Sequence, residues 1–165
     1  MLRIFTRRQG FLARLAKEGK LEIVEPSEEI CSAYLGKAEK SLRSARILLE
    51  NGLYENSVSM SYYTMYNSLT ALLFRTGIKC ENHSGSIILL MKLFRKVDLY
   101  NIISFAKKER VDKQYYVDFE LTEKSATDLL EKAENFLVKM KLVIRDLRLE
   151  QINEIRGKLK LVMEN

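Results

Sequence analysis

Apolar positions in this chain recur at helical spacing in three long runs. Cys31, Leu35, Ala38, Leu42, Ala45 and Leu49 follow one another at 4, 3, 4, 3 and 4 residues, which places them on one face of a helix. Lys37, Lys40, Arg43, Ser44 and Glu50 fall on the other face. Pro26 stops the segment before it, Ser27 is a suitable N-cap, and Glu28 and Glu29 sit where the helix dipole favours negative charge. The Asn51-Gly52 pair predicts the end of this helix.

A second run starts near Tyr54. Val58, Tyr62, Met65, Leu69 and Leu72 recur at 4, 3, 4 and 3, and Gly77 is a natural helix terminator. Ser57 to Phe74 within this run carries no charge at all, in a chain that is 30% charged. A helix that avoids charge all round is surrounded by protein or by lipid. Polarity decides between them. Ser57, Ser59, Ser61, Thr64, Asn67, Ser68 and Thr70, with three tyrosines, interrupt the apolar run. That favours the buried central helix of a bundle over a membrane span. The small hydroxyl side chains would let neighbouring helices approach closely.

Gly77 to Gly85 reads as a loop in which Asn82 or Ser84 caps a short apolar helix, "SIILLMKLF". "RKVD" interrupts, and "LYNIISFAKKER" is helical again. "VDKQYYVDFELT" has no helical period and reads as a connection. Thr122 then caps a long helix in which Ala126, Leu130, Ala133, Leu137, Met140, Ile144 and Leu147 alternate at 4 and 3. This helix either continues or breaks before "QINEIRGKLKLVMEN", whose pattern is weaker. Strand signals are weak throughout. The expectation is an all-α, antiparallel up-down bundle of four or five helices over residues 26–165. A basic N-terminal arm or helix, residues 1–25, precedes it.

Composition sharpens this. With 165 residues, 47% hydrophobic content, one proline and no tryptophan, the chain suits a single helical domain. The net charge is +6, but the first twenty residues hold Arg3, Arg7, Arg8, Arg14, Lys17 and Lys20 against Glu18 alone. The rest is nearly neutral, so no broad basic face for long nucleic acid is implied. The N-terminal segment lacks the continuous apolar stretch of a secretory signal. Its arginine-rich, acid-poor pattern also fits a transit peptide or a membrane-surface helix. Cys31 and Cys80 are too few for a disulfide framework. With His83 as the single histidine, a metal site is not expected, nor is any other cofactor. The default compartment is a reducing cytoplasm.

No strong catalytic motif is present: no phosphate-binding glycine loop, no HExxH, no nucleophile elbow. Candidate chemistry gathers at two connections. The first holds Arg75, Lys79 and His83. A neutral imidazole beside a helix start can act as general acid or base, while cations and backbone N–H groups hold an anion. The same residues could equally just satisfy the helix terminus. The second connection holds Arg110, Asp112, Tyr115, Tyr116 and Asp118. Arginine–aspartate pairs with interleaved tyrosines could grip a phosphate and a base, or simply cover the bundle end.

Taken together, "SMSYYTMYNSLTALLFRTGIKCENHSGSI" and "ERVDKQYYVDFELTEKSATDLLEKAENFL" resemble the HEPN domain. More narrowly, they resemble small prokaryotic HEPN proteins in which a tyrosine-rich second helix leads to a Lys-x3-His-Ser-Gly loop and an Arg-x-Asp segment precedes the last long helix. The matching residues are Tyr62, Tyr63, Met65, Tyr66, Lys79, His83, Ser84, Gly85, Arg110, Asp112, Tyr115 or Tyr116, Asp118 and Ala133. The resemblance implies a homodimeric helical bundle. It also implies pairing with a small nucleotidyltransferase in a toxin–antitoxin-like or nucleotide-handling module. Many HEPN members are metal-independent ribonucleases with an arginine, four to six residues, then a histidine. Here the permitted positions are Thr76, Gly77 and Ile78, and Arg75 misses by one. The expectation is therefore a binding module for a nucleotide or RNA at the bundle end. Its site would comprise Tyr66, Lys79, His83, Arg110, Asp112 and Tyr116. Lys79 and Arg110 would take phosphates, Tyr116 would stack, and Asp112 would orient Arg110 or accept from a base. A ribonuclease with His83 as acid/base, working with Lys79 or Arg110, is one alternative. A non-catalytic dimerisation or adaptor module is the other.

Overall fold

The computed structural model describes residues 2–115 and 121–164, with side chains over 10–110 and 121–164. Its elements in chain order are α1 (Leu2–Lys17), β1 (Leu21–Ile23), α2 (Glu28–Glu50), α3 (Tyr54–Arg75), β2 (Ile78–Cys80), α4 (His83–Lys92), α5 (Val97–Tyr115), α6 (Glu123–Asp146) and α7 (Leu149–Glu164). The architecture is all-α, as the apolar stripes predict, with one two-stranded antiparallel ribbon added.

Local chemistry sets the helix ends. The Ser27 hydroxyl accepts from the Ile30 N–H, the Asn82 side-chain Oδ1 from the Gly85 N–H, and the Thr122 hydroxyl from the Ser125 N–H. Asn82, not Ser84, is therefore the cap of α4, and the helix starts at His83. At the last junction the helix breaks: Leu147 is extended. The Gln151 side chain reaches back to the Arg148 N–H in the manner of a capping box and starts α7.

Helix α3 is the spine. Tyr62, Met65, Leu69 and Leu72 have no exposed surface. Neither do Ser57, Ser61, Thr64 and Ser68. The small hydroxyls let α2 lie close against α3, where the Ser57 hydroxyl donates to the Ala45 carbonyl at 2.8 Å. Thr64, Ser68 and Thr70 donate back into their own helix. Ser61 is the exception among the described residues, a buried hydroxyl without a partner. Helices α2, α5 and α6 all pack on α3. No described helix is long and apolar enough to cross a membrane.

Two sequence expectations need correction. The segment after Gly77 is not all loop. Ile78–Cys80 pairs with Leu21–Ile23, matching Glu22 to Lys79. Three-residue strands are too short to leave an alternation in the sequence. The presumed connection after Arg110 is also shorter than its pattern suggests, because α5 runs on to Tyr115.

The segment before Pro26 enters the common core. Leu12, Leu15 and Leu21 are buried in the same cluster as Tyr62 and Met65, and α1 packs on α7 and α4. Arg156 of α7 donates to the carbonyls of Val24 and Gly77. Gly77 has a φ of +71°, and a Cβ there would run into both the Arg156 guanidinium and the Val24 carbonyl. Only glycine fits.

Arg95 is the one described non-glycine residue with positive φ, at 54°. The Arg95 and Lys96 N–H groups close the end of α4 on the Met91 and Leu90 carbonyls, the arrangement in which glycine is usual. We expect Arg95→Gly to raise the unfolding free energy by about 1 kcal/mol, seen as a higher urea midpoint at unchanged slope. A lower midpoint would show that the Arg95 side chain contributes more than its backbone costs.

Candidate functional site

The site is assembled from three elements around Tyr62 and Tyr66. Both tyrosines lie one turn apart in the middle of α3, so they face the same way. α4 begins beside them and α5 packs across them. The site therefore lies on the flank of the bundle, midway along α3, and not at the bundle end.

Tyr62 and the His83 Nδ1 are hydrogen-bonded at 2.7 Å. The His83 ring stacks on Tyr66 with centroids 3.8 Å apart and planes within 15°. From α5, the Arg110 guanidinium lies over the Tyr63 ring at 4.8 Å and over Tyr62 at 5.4 Å, within cation–π range. Also from α5, the Lys107 ammonium donates to the Ser84 hydroxyl.

Burial sets the protonation states. Desolvation pushes the Tyr62 phenol far above its usual range, with the Tyr66 ring adding to it and Arg110 opposing. Desolvation also raises Tyr66, against hydrogen bonds from Ser86 and Thr70. His83 is held below its ordinary value, first by burial and then by the positive charges of Arg110 and Lys107. Burial lowers Lys107 too, helped by Arg110. Tyr62 thus keeps its proton, and among the described residues His83 is the partner recorded for its hydroxyl. In the tautomer whose Nδ1 accepts from the phenol, the imidazole proton sits on Nε2. His83 is a neutral ring that offers an N–H donor.

Lys107 and Arg110 are one turn apart on α5 and each raises the potential at His83. No carboxylate among the described residues forms an ion pair with either. Among the described residues, two cations without a carboxylate partner thus stand beside a neutral ring and the first N–H groups of α4, groups of the kind that attract an anion. No group of metal-ligating side chains occurs among the described residues.

Of the sequence candidates, Tyr66, His83 and Arg110 come together. Lys79 does not join them. It sits on β2, where its ammonium is 3.2 Å from Glu22 and 2.8 Å from Glu81. Strand alternation turns it away from Cys80, its neighbour on the side of Tyr66. Arg75 pairs with Glu28 at 3.1 Å, at the start of α2. The side chains of Asp112 and Tyr116 lie outside the described residues. The sequence reading missed Lys107, which sits three residues before Arg110 on an α5 lacking a clean amphipathic stripe. The helical i, i+3 spacing from Arg110 was the signal that could have found it.

Known proteins are similar to this chain. A family model described as the HEPN domain matches residues 31–143, a span that contains Tyr62, His83, Lys107 and Arg110. A Methanocaldococcus jannaschii protein named "Putative toxin MJ0142" is 34% identical over 110 residues, covering 64% of this chain and 75% of its own. A second, "Putative toxin MJ0605", is 30% identical over 125 residues, covering 73% of this chain and 92% of its own. A Thermotoga maritima UPF0332 protein is 29% identical over 129 residues, 73% of this chain and 96% of its own. The helical architecture, the residues held around Tyr62 and the extent of the family match lead to one statement: the chain belongs to the HEPN domain family.

Proposed function

We propose that this chain is a toxin-like HEPN module that binds the phosphate of a nucleotide or of RNA on the flank of its bundle, and that it works with a small nucleotidyltransferase. The toxin-like part follows from the names of its relatives. The binding part rests on one observation above the others. Lys107 and Arg110 face His83 and the start of α4 with no carboxylate partner among the described residues. Like charges brought together at a partly buried surface oppose folding unless something gains from them. A phosphate would neutralise both. In this arrangement Lys107 and Arg110 take the phosphate oxygens, His83 donates through Nε2–H, and Tyr63, with Arg110 over its face, borders the place of a base. Cytoplasmic location and homodimerisation belong to the same reading.

A second reading, a metal-independent ribonuclease, draws on Arg110. The arginine that α3 does not supply at the required spacing reaches His83 from α5, close enough to depress its basicity. The protonated fraction of His83, which a bound phosphate would raise, then donates its Nε2 proton to the leaving oxygen and ends as the neutral ring. The proton of the attacking 2′-hydroxyl passes to water, and Arg110 and Lys107 stabilise charge on the phosphate. Because Nδ1 faces the Tyr62 hydroxyl, Nε2 is the nitrogen that faces the leaving oxygen.

Three outcomes are expected. In thermal denaturation with nucleoside mono-, di- and triphosphates and short RNA, a ligand at a hundred times its Kd adds about 2.7 kcal/mol. That moves the Tm of a domain this size by roughly 5–10 °C. Lys107→Ala and Arg110→Ala should each remove the shift and Lys79→Ala should keep it; no shift with any phosphate compound at millimolar concentration defeats the binding reading.

The pH dependence of stability follows from His83. Its folded-state pKa lies below its unfolded value of 6.5, so the unfolded chain takes up the proton first as pH falls. Stability is therefore lost as pH drops through the ordinary histidine range toward the lower folded-state value. In urea melts between pH 7.5 and 5, His83→Gln should flatten that decline; an unchanged slope would mean that His83 is not held neutral.

Under the ribonuclease reading, purified protein cleaves RNA in the presence of chelator, and His83→Ala lowers the rate by roughly 10²–10⁴-fold. Intact RNA under those conditions leaves binding as the activity.

A further inference from the structure

The opposite end of α4 carries a different kind of surface. Beyond Lys92 the chain turns at Arg95 and Lys96 into α5, and this corner faces α6 and α7 across two adjoining cavities of about 570 and 370 Å³. The two share the walls Arg95, Lys96, Leu142 and Val143, so they form one elongated groove. Its apolar strip extends onto the surface. Leu142 is 43% exposed and Val97 52%. Val138, one turn before Leu142 on α6, is 58% exposed. Large aliphatic side chains left in water beside a concave surface mark a place where something docks.

The charges around the groove say what kind of partner. Asp146 is held by its neighbour Arg145 at 2.8 Å, and Glu154 by Lys158 one turn away. Arg95, Lys96 and Lys139 form no ion pair among the described residues. Asp98 is the groove's remaining carboxylate and Lys158 its paired cation, so Arg95, Lys96, Lys139 and Lys158 stand against Asp98, Asp146 and Glu154 and leave the lining with a positive excess. Arg95 moreover keeps a side chain at a backbone position suited to glycine, which a surface of no use would not favour.

We propose that this groove binds an acidic amphipathic helix of a protein partner, its apolar face on Leu142, Val143 and Val97 and its carboxylates on Arg95, Lys96 and Lys139. A groove walled by helices admits another helix through contacts spaced at three and four residues. A second copy of the chain fits this face less well, because a two-fold contact would set Arg95, Lys96 and Lys139 against the same cations of the other copy. A lipid surface fits less well because the apolar positions line a concavity that also contains Asp146 and Glu154. This inference does not rest on the phosphate site, which lies at the other end of a ten-residue helix, about 15 Å away.

The test uses the full chain and a fluorescein-labelled synthetic peptide of about 18 residues, five helical turns. It has leucines at helical spacing on one face and glutamates elsewhere. One control peptide has the same composition in scrambled order, and another has the glutamates replaced by lysine. Fluorescence anisotropy should show the acidic amphipathic peptide binding at least about tenfold tighter than either control, and weakening as salt rises. Leu142→Glu and, at the exposed position 96, Lys96→Glu should each reduce its affinity about tenfold or more. Lys124→Glu, the same charge change at the far end of α6, should not. Equal binding of amphipathic and scrambled peptides, or affinity untouched by Leu142→Glu and Lys96→Glu, overturns the proposal. A dimer in sedimentation that Leu142→Glu makes monomeric would assign the face to a second copy. Anionic vesicle binding lost with the same variant would assign it to lipid. Either result also overturns it.

Discussion

Everything in this molecule is arranged around the burial of one helix. α3 has no polar face to offer water, so it forms only if protein covers it on every side. α2 lies along it, α5 and α6 close two further sides, and the turn into β2 with α4 covers what remains. The hydroxyls of Ser57, Thr64, Ser68 and Thr70 make this possible at short range, because each finds a carbonyl within the bundle. Buried hydroxyls that did not would cost about 1–3 kcal/mol each. The site inherits its rigidity from this burial. Tyr62 is fully enclosed, and its hydroxyl is linked outward through His83.

The electrostatics of the site follow from the same enclosure. A tyrosine and a histidine in water would differ little in whether they donate or accept. Here burial keeps the phenol protonated and favours the neutral imidazole. Lys107 and Arg110 reinforce that neutrality, because a charged ring would sit against two cations. The arrangement stores a surplus of positive potential at a place where backbone N–H groups also point outward, and it has no internal anion among the described residues to absorb it. That combination, and not any single residue, is what separates this flank from the ordinary ion pairs elsewhere, such as Arg46 with Glu134 or Lys141 with Glu39. Those pairs are exposed and self-satisfied, and contribute little.

Much of the fold was legible because its signals are periodic. The stripes through Cys31–Leu49, Val58–Leu72 and Ala126–Leu147 repeat often enough to fix helix and face together, and Ser27 and Thr122 mark helix starts through chemistry confined to a few residues. The ribbon was not legible, because Leu21–Ile23 and Ile78–Cys80 are each defined by a partner far away in the chain. The site was half legible. His83 and Arg110 stand out by residue type, and Tyr66 lies on a readable face. Lys79 stands out as well, but its surroundings depend on Glu22 and Glu81, and Glu22 is brought beside it only by strand pairing. Lys107 was hidden for the opposite reason. α5 has almost no apolar asymmetry, so nothing in its pattern tells which of its many charges turn inward.

The clasp at Gly77 joins parts of the chain made at very different times. Arg156, near the carboxyl terminus, holds the carbonyls of Val24 and Gly77, and the ribbon leading to His83 begins one residue later. In chain order α3 and the ribbon precede α7. During synthesis the approach to His83 is therefore first held by α3 and the ribbon alone, and the clasp forms only once α7 has been made. The strand that leads to His83 is thus placed by pairing with β1 and locked afterwards by a helix from the other side of the sequence.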